Sequence, residues 1–203
     1  MPEHTRVILA RHGETDANRR RCFADSNEIP LNEAGRIQAE ELARRLAANF
    51  RPEGLAASPF LRATQTGEII ARELGLDMEI AEGIQERDFG CLKGHPYARM
   101  GELMCQDPVY DPMRAWLWRP PGGESLEDVR LRAIAVLDGL RMRYPSQELI
   151  VVCHGAVIQA LSAHVTGEWS EVSVPPNCGI VVIAHGESGW EIDEALSDQL
   201  CAG

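Results

Sequence analysis

The chain has 203 residues, enough to bury one sizeable core, and its composition of 44% hydrophobic and 25% charged residues is that of a soluble globular protein. Its net charge of −11 argues against nucleic acid or an anionic membrane as a main partner. No apolar run reaches the roughly 20 residues that a membrane span needs, and the first residues lack the pattern of a secretory signal. We therefore expect a cytoplasmic protein without a nucleic-acid or membrane partner.

Strand and helix signals alternate from the start of the chain. Residues 6–10 hold a short apolar run that predicts a buried strand. A helix is predicted over 33–50, with Asn32 as its N-cap. A short strand over 55–57 and a helix over 59–74 follow. The apolar face of the first helix is expected to contain Ala34, Ile37, Leu42 and Leu46.

The second half of the chain begins with an irregular stretch. Residues 82–123 are rich in Gly, Pro, Trp and Met and look like an insertion or lid, with one helix near 97–105. Ser125 and Asp128 form a predicted capping box for a helix that runs to about Tyr144. The remaining predicted elements are a strand over 149–153, a helix over 154–165 and a hairpin over 179–192.

This alternation of strands and helices predicts an α/β fold. We expect a three-layer sandwich that has a mostly parallel central sheet, helices on both faces and a lid-like insertion. A single domain should cover residues 1–203, with the insertion at 87–121.

Two of the predicted strands run directly into a histidine. Arg11, His12 and Gly13 follow the first strand, and His154 and Gly155 follow the strand over 149–153. Because ligands bind at the carboxyl edge of a parallel sheet, the two histidines could meet at one site. A glycine after each histidine allows close backbone approach, and a helix that starts there offers free N–H groups to an anion.

Six short stretches in order along the chain resemble the signature of the histidine phosphatase superfamily, in its phosphoglycerate-mutase-like branch. The resemblance covers about residues 6–185, and six elements at matching separations are far more specific than a lone Arg-His-Gly. The stretches are 11–15 together with Asn18, 30–39, 58–66, 86–94, 121–125 and 152–155.

The resemblance implies roles for individual residues. His12 would be the nucleophile and Glu86 the proton donor to the leaving group. Without the motifs, Glu86 would be one residue of a charged loop. Around the phosphoryl group the resemblance places Arg11, Arg62, His154 and Asn18.

These residue types suit phosphoryl transfer, in which positioning and charge stabilisation do most of the catalysis. Two arginines and a protonated His154 could replace the metal ions of other phosphatases. Positive neighbours should lower the pKa of His12 and keep its attacking nitrogen neutral.

The six cysteines are scattered and expected to be reduced, and no metal-ligand spacing is present in the sequence. We therefore expect neither a metal nor a cofactor.

The expected function is hydrolysis of a small phosphorylated metabolite through a phosphohistidine intermediate. Only 35 residues separate Glu86 from Gly122, which favours a phosphatase over a cofactor-dependent phosphoglycerate mutase, because mutases carry a larger insertion there. A non-catalytic module that binds a phosphorylated ligand is the third alternative. The sequence leaves the substrate and the oligomeric state open.

Specificity is also open, because two stretches depart from the family pattern. Residues 22–27 lack the usual glycine-containing turn, and 90–94 read Gly-Cys-Leu-Lys-Gly, so the role of Lys93 is undefined. Trp116 and Trp118 lie two apart, and in an extended lid they would face the same side. Packing inside the lid is their expected role, and lining the mouth of the substrate site is the alternative.

Overall fold

The computed structural model describes residues 5–169, 172–187 and 189–193, and strands and helices alternate along them as predicted. Two 3-10 segments, Gly90–Leu92 and Pro112–Leu117, flank the helix Ala98–Gln106. The strands and helices are β1 (Thr5–Arg11), α1 (Asp16–Arg19), α2 (Glu33–Asn49), β2 (Gly54–Ala57), α3 (Leu61–Leu74), β3 (Met78–Ile80), α4 (Ala98–Gln106), α5 (Leu126–Arg143), β4 (Glu148–Cys153), α6 (Gly155–Thr166), β5 (Ile180–Gly186) and β6 (Gly189–Ile192).

All six strands join one mixed sheet in the order β3-β2-β4-β1-β5-β6. The first four of these are parallel to one another, and β5 and β6 add the predicted antiparallel hairpin at one edge. Arg11 at the end of β1 pairs with Cys153 at the end of β4. Because these strands are parallel neighbours, His12 and His154 emerge side by side at the carboxyl edge of the sheet.

Helices cover both faces of the sheet, so the predicted three-layer sandwich is confirmed. Side chains alternate along β1: Ile8 packs in the core that contains α2 and α3, whereas Val7 and Leu9 pack in the core that contains α5 and α6. This period of two, combined with the apolar runs 7–10 of β1 and 149–153 of β4, is the pattern of strands buried on both faces.

The predicted buried face of α2 is partly wrong. Asn32 caps the helix as expected, with its side chain accepting from the Gly35 N–H at 2.8 Å. Ala34 and Ile37 are exposed, and Ile37 keeps 51% of its surface accessible. The helix is rotated about its axis relative to the predicted orientation, because Gly35, which has no side chain, lies inward against the backbone of Glu14. The buried residues of α2 are Gly35, Ala39, Leu42, Ala43 and Leu46.

The 82–123 stretch contains α4 at the place where the sequence predicted a helix. The prediction that Trp116 and Trp118 face the same side is wrong, because the chain forms a 3-10 segment with a kink at Arg114 rather than an extended strand. Trp118 is buried in a small cluster with Phe23 and Leu92. Trp116 is half-buried and lines a large cavity instead.

Two further observations concern the described residues only. None of their helices is long and apolar enough to cross a membrane. Their five cysteines, all free thiols, are Cys22, Cys91, Cys105, Cys153 and Cys178; Cys201 lies outside the described residues.

We expect Gly35→Ala to destabilise the fold. An added Cβ would come within 2.1 Å of the Glu14 backbone oxygen, which cannot move without displacing the loop after His12. Overpacking of this kind costs about 1–3 kcal/mol in unfolding free energy. The matched control is Gly139→Ala in α5, where no atom lies within 4 Å of the added methyl group. That change should instead stabilise by about 0.5–1 kcal/mol.

Urea unfolding of the two variants beside the parent chain measures both effects. Equal midpoints for Gly35→Ala and the parent would contradict the close approach of α2 to the nucleophile loop.

Candidate active site

His12 is held in one tautomer by the residues around it. Its side chain is 98% buried, since only 2% of its surface is accessible. The ring Nδ1 lies 2.7 Å from the Gly13 carbonyl oxygen and donates to it, because a carbonyl can only accept. The Arg62 Nε–H donates to Nε2 at 3.3 Å. Both contacts assign the proton to Nδ1 and the lone pair to Nε2, which makes Nε2 the nucleophilic atom.

The pKa of His12 lies well below its usual value of 6.5, chiefly because burial penalises the charged ring. The positive charges of Arg62 and Arg11 lower it further, and the hydrogen bond to Gly13 opposes them. The sequence predicted this direction from the positive neighbours. Burial, the larger cause, could not be read from the motif. His12 is therefore neutral at pH 7.

His154 stands beside His12 as the N-cap residue of α6. The two ring centroids are 5.1 Å apart, and His154 is fully buried. Its Nε2 lies 2.7 Å from the Ser58 hydroxyl oxygen. The Ser58 oxygen also accepts from the Phe60 N–H at 3.4 Å and has its own proton to donate. When Ser58 donates to Nε2, the His154 ring carries its proton on Nδ1, an atom that has no partner among the described residues.

The expected protonated state of His154 is wrong. Its pKa lies well below 6.5, first because of burial and then because of the positive charge of Arg62. A neutral ring whose Nδ1 carries hydrogen still donates one hydrogen bond to an oxygen. The positive charge at this site therefore comes from the arginines. Ser58 was quoted in the sequence motif without a role, and its contact with His154 supplies one.

Two arginines lie next to the histidines. Arg62, in the first turn of α3, is 97% buried, and its Nη1 has no partner among the described residues. Arg11 donates from Nη1 to the Pro175 carbonyl oxygen at 2.7 Å, which fixes one side of its guanidinium group. Its Cζ would lie 3.8 Å from a Cβ on Gly155, so the group lies against the start of α6. Arginine donors and a helix N-terminus together favour an oxyanion ligand.

Glu86 lines the same cavity as His12, Arg11 and Arg62. One of its carboxylate oxygens, Oε1, accepts from the backbone N–H groups of Arg87 at 3.0 Å and Ala156 at 3.2 Å. The carboxylate is thereby tied to the start of α6, next to His154. A carboxyl group in the same cavity as a nucleophilic histidine is suited to proton transfer.

A half-buried network of charged residues holds the backbone of Glu86. Arg132 of α5 donates to the carbonyl oxygens of Gly83 at 2.8 Å and Glu86 at 3.2 Å. The same guanidinium group binds both carboxylate oxygens of Glu124, each at 3.0 Å. Arg87 donates to the Glu124 carbonyl oxygen at 2.7 Å. Glu124, which the sequence quoted only as part of a motif, therefore anchors the segment that carries Glu86.

Asn18 lies in the cavity but already has several partners. With Thr15 it forms the capping box of α1. Its side-chain amide donates to the Tyr97 hydroxyl at 3.2 Å. Asn177, which the sequence analysis did not identify, donates to both the His12 carbonyl oxygen at 2.9 Å and the Asn18 side-chain oxygen at 3.3 Å.

Among the described residues, no group of three or more His, Cys, Asp or Glu side chains could hold a metal ion.

Comparison with known proteins decides the family. Residues 7–197 match the family described as the histidine phosphatase superfamily (branch 1). The chain belongs to this family. The resemblance and the α/β fold expected from the sequence motifs are both confirmed by this match and by the solved structures that share the fold.

Two relatives of this superfamily member carry phosphatase names. The uncharacterized phosphatase PhoE of Bacillus subtilis is 31% identical over 192 residues, which cover 94% of this chain and 93% of the relative. The metal-independent phosphoserine phosphatase of Arabidopsis thaliana is 29% identical over 197 residues, 94% of this chain and 81% of the relative. Proteins named as phosphoglycerate mutases match the chain as well.

One solved structure illustrates the shared fold. The mycobacterial glucosyl-3-phosphoglycerate phosphatase complexed with VO3 is 25% identical and superposes with a TM-score of 0.80. The superposition covers 93% of this chain and 97% of that chain.

We expect both site histidines to remain neutral below pH 6.5, because their pKa values are lowered by burial and by Arg62. As the pH falls, His12 and His154 should gain a proton only at values distinctly below 6.5. Imidazole NMR titration measures the midpoints, with His12→Gln and His154→Gln to assign the two resonances. A midpoint at or above 6.5 for His12 would contradict the neutral nucleophile.

Proposed function

We propose that this member of the superfamily hydrolyses phosphomonoesters of small metabolites through a covalent intermediate on His12. One observation carries the proposal. A neutral histidine with its lone pair fixed on Nε2 lies in a cavity that also contains two arginines and the carboxyl group of Glu86. Relatives that carry phosphatase names support the same activity.

In the first step, Nε2 of His12 attacks the phosphorus atom. A nitrogen–phosphorus bond forms as the bond to the ester oxygen breaks, and Glu86 donates its proton to that oxygen. Arg11 and Arg62 bind the three equatorial oxygens, where the charge of the transition state is spread. Nδ1 of His154 donates one further hydrogen bond, and the Nδ1–H of His12 stays bound to the Gly13 carbonyl.

In the second step, Glu86 acts as a base. It removes a proton from a water molecule, which attacks the phosphorus as the nitrogen–phosphorus bond breaks. Inorganic phosphate leaves, His12 returns to its neutral state and Glu86 is again protonated. Because arginines supply the positive charge throughout, this mechanism requires no metal ion, in keeping with the metal-independent name of one relative.

Four finer points belong to the same proposal. Residues 1–203 form one domain, in which 87–121 act as a lid over the cavity. The side-chain amide of Asn18 turns from Tyr97 to the bound phosphoryl group. The physiological partner is a small phosphorylated metabolite, and no nucleic acid binds. The chain acts in the cytoplasm, where its free thiols stay reduced.

We expect His12→Ala to lose at least a thousandfold in turnover, because its nucleophile is gone, while the circular dichroism spectrum stays unchanged. The parent chain should release phosphate in excess EDTA and should trap an acid-labile phosphate on His12 when quenched with base. His164→Ala is the matched control, since His164 is exposed and hydrogen-bonds Arg130. Activity that EDTA abolishes and a divalent ion restores would overturn the arginine-based mechanism.

We expect Glu86→Gln to slow alkyl phosphates by about 10²–10⁴, because an alkoxide needs a proton as it leaves. Aryl phosphates leave with little protonation, so the cleavage step measured by rapid quench should fall by less than about tenfold. Glu168→Gln is the matched control, because Glu168 lines the same cavity and is exposed. Equal losses for alkyl and aryl esters would show that Glu86 is not the proton donor.

The two alternative functions are separated by one pair of assays. With 2,3-bisphosphoglycerate as primer, fast conversion of 3-phosphoglycerate to its 2-isomer without phosphate release would make the chain a mutase. Phosphate binding without either activity would make it a binding module. We expect phosphate release from a phosphomonoester and negligible isomerisation.

A further inference from the structure

The cavity above His12 is much larger than a phosphoryl group. Its volume is about 1000 Å³, at the upper end of the range for pockets that enclose whole organic ligands. The phosphate-binding groups occupy only its inner end, at the carboxyl edge of β1 and β4. The rest of the volume is left for the leaving group of the substrate.

The outer walls of this cavity are apolar and come from separate parts of the chain. Trp116 of the 3-10 segment and Trp169, just after α6, stack with parallel rings whose centroids are 5.7 Å apart. Elsewhere in the lining, the ring centroids of Phe23 and Phe89 are 4.2 Å apart. The apolar lining that the argument uses is Phe23, Phe89, Met100, Met104, Trp116 and Trp169.

Apolar surface is also left open at the mouth. Met113 lines the cavity and keeps 81% of its surface accessible, and Val174 keeps 41%. Covering such surface with an apolar group stabilises a complex in proportion to the area removed from water. Met100 and Met104, one turn apart on α4, are unbranched and polarisable, so they adapt to groups of different shape.

The charges of the lining residues do not suit a second anion. The charged lining residues apart from the inner Arg11 and Arg62 are Glu86, Arg87 and Glu168. Arg87 lies between Glu86 and Glu124, and it donates to the carbonyl oxygens of Glu124 and Trp118. A carboxylate on the leaving group would therefore meet Glu168 and no uncommitted cation among the described lining residues.

The chain's single lysine does not supply the missing positive charge. Lys93 lines a smaller neighbouring cleft and forms an ion pair with Asp88 at 2.8 Å. That cleft is lined by four acidic and three basic residues, so Lys93 adds no excess positive charge there; they are Asp25, Glu28, Glu86, Asp88, Arg62, Arg87 and Lys93. Burying an unpaired carboxylate in either space would be strongly unfavourable.

We propose that the cavity selects phosphomonoesters of bulky apolar alcohols, aromatic or long-chain, and rejects leaving groups that carry a carboxylate. This inference rests on the proposed function for turnover, but it concerns recognition and can be tested by binding alone. Phosphoserine and phosphoglycerates are then poor substrates of this chain, although relatives are named for acting on such compounds.

Binding of non-hydrolysable phosphonates tests the inference without catalysis. Calorimetry should show n-octylphosphonate binding at least a hundredfold more tightly than methylphosphonate, because each buried methylene contributes about fourfold. A carboxylate analogue, 2-amino-3-phosphonopropanoate, should bind no more tightly than methylphosphonate. Equal or tighter binding of the carboxylate analogue than of n-octylphosphonate would overturn the inference.

Turnover of matched esters tests the proposed function beside it. Ethyl, n-butyl and n-octyl phosphate have leaving groups of similar basicity, so kcat/KM should rise along the series with buried area rather than with chemistry. If octylphosphonate binds preferentially and no ester is hydrolysed, the proposed function fails while the inference stands. If all esters are hydrolysed equally, or phosphoserine is preferred, the inference fails while the proposed function stands.

Variants of the apolar wall locate the selectivity. Trp116→Ala should weaken octylphosphonate binding roughly tenfold and leave methylphosphonate within about twofold, since only the longer chain reaches the wall. Leu117→Ala is the matched control, because Leu117 is in the same 3-10 segment and does not line the cavity. Should Trp116→Ala fail to fold, Met104→Ala on α4 tests in the same way the part of the lining that contains Phe23 and Phe89. No change in either wall variant would overturn the inference.

Discussion

The parallel pairing of β1 with β4 is the constraint on which the site depends. Arg11 lies opposite Cys153 in that pairing, so the next residues of the two strands, His12 and His154, are held side by side. Side chains on both faces of these strands are buried against helices, which fixes the register because a slip of one residue would turn every side chain to the wrong layer. The register of this pairing therefore fixes the positions of the two histidines relative to each other.

Burial at this sheet edge then determines the protonation of the site. Both histidines are too deeply buried to hold a charge at neutral pH, and the arginines beside them reinforce that effect. The arginines remain the cations because guanidinium groups do not lose their proton in proteins. The carboxylate of Glu86 comes from a loop rather than from the sheet, and its backbone is held by Arg132 and Glu124. The strand ends that precede the histidines and the loop that carries Glu86 thus meet at one reaction centre.

Much of this arrangement could be predicted from the sequence, because its signals are local. The apolar runs before His12 and His154, with a glycine after each, indicated two strand ends at one edge. β3 was missed because its three residues alternate around Glu79 and carry no strong strand signal. Contacts between distant segments were equally hidden. The hydrogen bond from Ser58 to His154 spans 96 residues, and no local spacing encodes it.

The stacked tryptophans come from parts of the chain other than the strand ends that carry the two histidines. The surface proposed to contact the leaving group is therefore distinct from the reaction centre. Trp116 follows α4 and its neighbour Trp118 packs in a small cluster with Phe23 and Leu92, away from the central sheet. Substitutions along this wall do not touch the pairing of β1 with β4, so natural variation can alter the alcohol that is accepted while the reaction centre is inherited intact. A lineage built on this scaffold can thus acquire new substrates through substitutions of a few half-buried side chains, without passing through an inactive ancestor.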